Sequence, residues 1–205
     1  CLLTIFLRSE AKITPEKLTC EYLQNPMVVD VSNPRLSWIN FADAGEQGQV
    51  QTAWEIRVAT SPELLLSGKA DMWNSDKILS DQSCNIRYKG ATLKSRQCSW
   101  WQVRVWDRKN NVSDWSEPSF WSMGLLDPSE WKAKWIGAPW QGEEALPKPT
   151  NPGQHLPDLL PPPAPMFRKE FTVGRKVTRA VAFVTGLGYF ELYLNGEKVG
   201  DDVLV

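Results

Sequence analysis

Histidine is almost missing from this sequence: His155 is the only one in 205 residues. It has no serine or cysteine partner in a recognisable arrangement, and the proline-rich stretch around it is a poor rigid platform for catalysis. An excess of either charge is missing too. Lys and Arg number 23 against 24 Asp and Glu, a net charge of −1, so no basic footprint for a nucleic-acid partner is present. No Cys-x-x-Cys or Cys/His spacing points to zinc. No Gly-x-Ser-x-Gly, phosphate loop or dinucleotide fingerprint occurs. The apolar run Leu2-Leu-Thr-Ile-Phe-Leu7 is too short to cross a bilayer, so no transmembrane segment is predicted. Long 3.6-residue periodicity is also lacking, which argues against a helical domain.

Cysteine is sparse and odd in number once Cys1 is set aside, leaving Cys20, Cys84 and Cys98. A closed disulfide framework is therefore excluded. One bridge, Cys84 to Cys98, fits an exported protein, but free and mostly buried thiols are the expected state. Residues 1–11 read as a signal-peptide remnant, with Ser9-Glu-Ala11 as a small-x-small cleavage site. A buried N-terminal strand is the alternative. The first reading places the protein in the periplasm or outside the cell. With no opening Met, and with the chain stopping at Val205 in a strand-like run, the sequence is expected to be a fragment.

What is abundant is tryptophan, 11 residues, with 15 prolines and 13 glycines. Many aromatics among many turn formers predict an all-β chain. Residues 15–127 are expected to form one antiparallel sandwich. Asn33-Pro34 is a turn and Arg35-Leu-Ser-Trp-Ile39 a strand. In Thr52-Ala-Trp-Glu-Ile-Arg-Val-Ala59, Trp54, Ile56 and Val58 share one face, Glu55 and Arg57 the other. Ser61-Pro62-Glu63 starts a short helix that Gly68 soon ends. Ser99–Trp106 is a strand with Trp101, Val103 and Val105 in the core, and Trp100, Gln102, Arg104 and Trp106 opposite. Asp107–Asn111 turns the chain, and Phe120–Met123 closes the sandwich. Strands at this spacing suggest a fibronectin type III-like fold.

Asp127-Pro-Ser-Glu130 reads as a linker with a turn of helix, and a second domain spans residues 131–205. It is interrupted by a Pro-rich insert, residues 141–165, whose Pro161-Pro-Pro163 run favours polyproline II. Strands are expected to resume at Phe167 and at Val177–Val184. Tyr189–Leu194 is a strand, Asn195-Gly196 a type I′ hairpin turn, and Lys198-Val-Gly200 the start of the return.

The run Gly186-Leu-Gly-Tyr-Phe-Glu-Leu-Tyr-Leu-Asn-Gly-Glu-Lys-Val-Gly-Asp-Asp-Val-Leu204 resembles the N-terminal jelly-roll module of bacterial α-L-rhamnosidases. Met166-Phe-Arg-Lys-Glu-Phe171 resembles its first strand, and Trp131-Lys-Ala-Lys-Trp-Ile-Gly137 its approach. Upstream, Leu18–Leu23, the Trp73-Asn-Ser75 region and Trp100–Asp107 through Asp114–Pro118 resemble the sandwich at the front of the same enzymes. The resemblance implies a type III-like sandwich followed by an incomplete jelly-roll β-sandwich. It also implies hydrolysis of terminal α-L-rhamnose from glycans, with inversion, by carboxylates in a later (α/α)₆ barrel of the same chain. Some relatives hold rhamnose in the jelly-roll module, at times with calcium.

Glycoside hydrolysis needs two opposed carboxyl groups. Asp201-Asp202 and Glu143-Glu144 are adjacent pairs, and strand neighbours point to opposite faces, so both read as solvated. No catalytic, cofactor-binding or metal-ligating residue is assigned. Exposed Trp could stack on sugar C–H faces, with Trp140 the better candidate. On the outer face of the sandwich, Arg57 and Arg104 are instead expected to lie over Trp115 or Trp121 as a cation–π ladder. The chain thus reads as a non-catalytic part serving domain scaffolding and substrate recognition. The alternatives are a stand-alone carbohydrate-binding or adhesion sandwich, or a structural spacer.

Overall fold

A computed structural model of the chain describes residues 13–137, 165–174, 176–177 and 180–200. The chain divides into two compact units, residues 1–132 and 133–205.

The first unit is a β-sandwich. Its smaller sheet has the order β1 (Ile13–Cys20), β2 (Arg35–Ala42), β6 (Ile86–Arg87). The larger has the order β4 (Trp73–Asn74), β3 (Ala53–Ala59), β7 (Cys98–Trp106), β8 (Ser119–Ser122), with β5 (Ile78–Leu79) also paired to β3. All these pairings are antiparallel. Pro15 is tolerated because β1 lies on a sheet edge. A register shift between Glu16 and Thr19 bends that strand where Lys17 takes a φ of 49°.

The core follows strand alternation. Leu36 and Trp38 from β2 meet Trp54, Ile56 and Val58 from β3 and Trp101, Val103 and Val105 from β7. Trp101 and Trp121 are fully buried, and Tyr88 stands edge-on to Trp121 at 5.7 Å and to Trp73 at 5.5 Å. The Tyr88 hydroxyl donates to the Ala91 carbonyl at 2.8 Å, and burial, then the charge of Asp71, pushes its pKa up to about 12. Gly90 sits where no other residue fits: a Cβ there would lie 2.5 Å from the Tyr88 hydroxyl and against the Met72 carbonyl oxygen.

The predicted helix forms as α1 (Pro62–Leu66), with the Ser61 hydroxyl accepting from the Leu64 N–H and Pro62 in the first turn. The predicted linker turn is a 3₁₀ turn at Pro128–Glu130, closed by a capping box from Asp127 and Glu130. Cys20 is buried, and burial, then the neighbouring Glu21 carboxylate, pushes its thiol pKa up to about 12. Cys84 is a free, exposed thiol and Cys98 is half-buried, with no bridge between them. The expectation of mostly buried thiols therefore holds only for Cys20.

In the second unit, β9 (Tyr193–Leu194) and β10 (Glu197–Lys198) form the predicted hairpin. Asn195 (φ 51°) and Gly196 (φ 89°) supply the two left-handed residues a type I′ turn needs. The Val199 N–H bonds the Leu192 carbonyl at 2.8 Å, and Lys198 pairs with Glu191 at 2.9 Å. The strands expected at Phe167 and over Val177–Val184 carry no ladder in their described residues. A strand exists only through a partner's backbone groups, and no described residue supplies one there.

Candidate functional site

The outer face of the large sheet is the first place to look, because the sequence concentrates cations and indoles there. Glu55 and Arg104 are direct cross-strand partners on β3 and β7. Glu55 is buried and its Oε2 accepts from Arg104 Nε at 2.8 Å and Nη2 at 2.6 Å. Arg57 Nε lies 3.6 Å from the other oxygen, Oε1. Trp115 covers both guanidiniums, 4.5 Å from Arg57 and 4.6 Å from Arg104, and Arg104 also faces Trp106 at 5.2 Å.

The segment carrying Trp115 is held down as a substitute strand. Val103 and Val105 donate their N–H groups to the Ser116 and Ser113 hydroxyls at 3.1 and 3.0 Å. The Ser116 and Ser113 N–H groups return bonds to the same residues' carbonyls at 2.8 and 2.9 Å. The Asp107 carboxylate fixes the preceding turn, accepting from the Lys109 and Asn111 N–H groups at 2.8 Å each. The ladder predicted over Trp115 is present as a structural clamp in which Glu55 binds Arg104 directly, while Arg57 Nε is buried without a hydrogen-bond partner.

Trp121 does not belong to the ladder. Trp100 and Phe120 are cross-strand partners with ring centroids 5.0 Å apart. Alternation along β8 then turns Trp121 inward onto the core. Phe120 takes the outer position the sequence reading offered to Trp121.

A second place was not singled out from the sequence. Between the edges of the two sheets, where β4 and β5 approach β6, an open cleft of about 430 Å³ is walled by Trp54 and Trp73. Its rim carries Asn74, Asn85, Arg87 and Lys89, and no lining residue is acidic. Asn85, Arg87 and Lys89 are exposed in alternation with buried Ile86 and Tyr88, so one side of this strand is polar and cationic. The Trp54 indole N–H is buried without a hydrogen-bond partner.

The cleft is propped from behind by Gln51, itself buried. Gln51 Oε1 accepts from Trp38 Nε1 at 3.0 Å and Asn40 Nδ2 at 2.9 Å. Its Nε2 donates to the Ser80 and Gln82 carbonyls at 3.1 and 3.0 Å, which fixes the loop that brings Gln82 to the cleft. The signal in the sequence was the alternation of Asn85, Arg87 and Lys89 with Ile86 and Tyr88.

Five described carboxyls, none of them lining the cleft, are stabilised in their ionised form. The carboxyls of Glu21, Glu63, Asp127, Glu130 and Glu191 are all held below the usual range, by bonds from Arg35, Ser61, Ser129, Ser95 and Lys198 first of all. A glycosidic general acid needs the opposite shift. Among the described residues, no group of three or more His, Cys, Asp and Glu could hold a metal ion. No described helix is long and apolar enough to cross a membrane. Trp140, Glu143, Glu144, His155, Asp201 and Asp202 lie outside the described residues.

Comparison with known proteins bears on both units. Residues 15–127 match the family model of the Rha78A-like, N-terminal immunoglobulin domain, and residues 175–205 that of the alpha-L-rhamnosidase N-terminal domain. An α-L-rhamnosidase of Formosa agariphila is 36% identical over 202 residues, covering 92% of this chain and 20% of the relative. One from Streptomyces avermitilis is 44% identical over 119 residues, covering 58% of this chain and 11% of the relative. Among solved structures, the α-L-rhamnosidase of Dictyoglumus thermophilum aligns with a TM-score of 0.57 at 36% identity, over 60% of this chain and 14% of that one. The Streptomyces avermitilis enzyme complexed with L-rhamnose gives 0.57 at 42%, over 62% and 12%. The chain spans about a fifth or less of the length of the curated relatives it matches. With more than half of its residues matched by the first model, the chain belongs to the Rha78A-like family of N-terminal immunoglobulin domains.

Proposed function

We propose that this chain is the N-terminal, non-catalytic portion of an α-L-rhamnosidase that hydrolyses terminal α-L-rhamnose from glycans with inversion. A sandwich over 15–127 would scaffold the start of a jelly-roll module over 131–205, and a catalytic domain would follow in the same polypeptide. One observation carries the reading: a relative named α-L-rhamnosidase matches along 92% of this chain, which accounts for 20% of that relative's length. The apolar opening Leu2–Leu7 followed by Ser9-Glu-Ala11 supports export, to the periplasm or beyond.

The test is turnover. The 205-residue chain should release no aryl alcohol from an aryl α-L-rhamnoside. The protein carrying the coding sequence that follows Val205 should release it, and NMR should find β-L-rhamnose as the first-formed anomer. Glycan affinity without turnover in the longer protein would favour a stand-alone carbohydrate-binding or adhesion protein.

A further inference from the structure

We propose that the cleft between β4, β5 and β6 is a saccharide-binding site for a sugar residue bearing an anionic substituent, a carboxylate or a sulfate ester. The argument stands on the cleft's own residues and is independent of the hydrolase reading. Its volume, about 430 Å³, falls within the usual range for small-ligand sites and admits one ring. Its walls are two indoles. Trp73 is half-buried and locked edge-on against Tyr88 at 5.5 Å, a rigid apolar surface of the sort on which pyranose C–H faces stack.

The polar groups are of the right kinds for such a ligand. Asn74 and Asn85 offer amides that both donate to and accept from hydroxyls. The Trp54 N–H is buried and unpartnered and supplies no donor to the cleft; its ring is the part that lines it. Trp101 and Trp121 share that condition, but both are fully buried in the core and neither lines the cleft. The Trp54 ring itself lines the cleft, so its indole resonance reports a sugar seated there.

Charge selects the class of sugar. Arg87 and Lys89 are both exposed and both line the cleft, and no carboxylate does. Glu21 feels the charge of Arg87, yet its own carboxylate is engaged first by Arg35, with Arg35 Nε 3.0 Å away. Arg104 and Arg57, by contrast, are engaged with Glu55 on the outer sheet face. Two cations beside two indoles and no acid favour an acidic sugar over a neutral one.

The experiment titrates the 205-residue chain with glucuronate, glucose 6-sulfate and glucose, and follows the indole N–H resonances by ¹H–¹⁵N NMR. The Trp54 signal is assigned from a Trp54→Phe variant. The expected result is saturable binding of at least one of the two anionic probes in the millimolar range. That probe should bind at least tenfold tighter than glucose, weaken with salt, and shift Trp54 but not Trp101. Whichever anionic probe binds better identifies carboxylate or sulfate as the source of the charge. Arg87→Gln/Lys89→Gln, both at exposed positions, should keep the wild-type spectrum and lose at least tenfold in affinity for that probe. Absence of saturation by either anionic probe at ~50 mM, equal affinity for glucose, or binding untouched by the double variant would each overturn the proposal.

Discussion

Replacing Glu55 by Gln is the most informative single change in the sandwich. It keeps the shape of the side chain and removes one negative charge from beneath two arginines. In the native protein the carboxylate takes two short bonds from Arg104, at 2.8 and 2.6 Å, and lies 3.6 Å from Arg57. Hydrogen bonds to charged groups contribute roughly 1.5–3 kcal/mol each in favourable cases. Breaking a buried ion pair by removing one partner costs about 3–5 kcal/mol. Here the arginine side chains retain 22% and 23% of their exposure, and Trp115 still stacks on both. The loss should therefore sit near the lower end, about 3 kcal/mol. For a domain of this size that is a fall of roughly 10 °C in Tm.

Differential scanning calorimetry of the 205-residue chain measures it, and urea titration gives the free energy. A double-mutant cycle with Arg104→Met should show coupling of about 1–3 kcal/mol, because the double variant no longer buries an unpaired guanidinium. A cost for Glu55→Gln below about 1 kcal/mol, or strict additivity with Arg104→Met, would refute the reasoning. The face would then be an ordinary solvated surface.

Three further outcomes follow from the packing and the charges. Gly90→Ala should destabilise by about 2 kcal/mol, because the added Cβ meets a backbone oxygen and the Tyr88 hydroxyl; an unchanged urea midpoint would contradict the close approach. Glu21 is held below its usual pKa, first by its bonds from Arg35, so its contribution is full above the unfolded value of about 4.3 and is lost as pH falls through the folded one. Tm should therefore drop between about pH 5 and pH 3, less steeply in Glu21→Gln, and identical acid profiles would count against the pair. A polypeptide of residues 131–205 should unfold without a cooperative transition, since Met166, Leu187 and Tyr189 are 95%, 91% and 79% exposed; a sharp calorimetric peak would sink that expectation.

The parts of the fold legible in the sequence are those governed by period and by turn chemistry. Trp54, Ile56 and Val58 alternate with polar neighbours, and their strand direction needs no tertiary information. Asn195-Gly196 is readable because few other dipeptides tolerate two left-handed residues. Trp121 was harder, since its side is set by the pairing of Trp100 with Phe120, a register invisible in one strand alone. The cleft was harder still. It exists because β6 on one sheet and β4 and β5 on the other come to face each other, and residues 54, 73 and 87 have no sequence proximity to advertise that. The alternation of Asn85, Arg87 and Lys89 was visible, but a two-residue strand gives it too little length to stand out from a loop. The described residues around Phe167 and within Val177–Val184 carry no ladder, because propensity does not supply a partner.

The central claim, that this chain is the front of a larger rhamnoside hydrolase, is tested most directly by reading the encoding DNA past the codon for Val205. The account predicts several hundred further codons, with repeated amphipathic helix pairs and acidic residues in the loops that join them. A stop codon within a few residues of Val205 would contradict it.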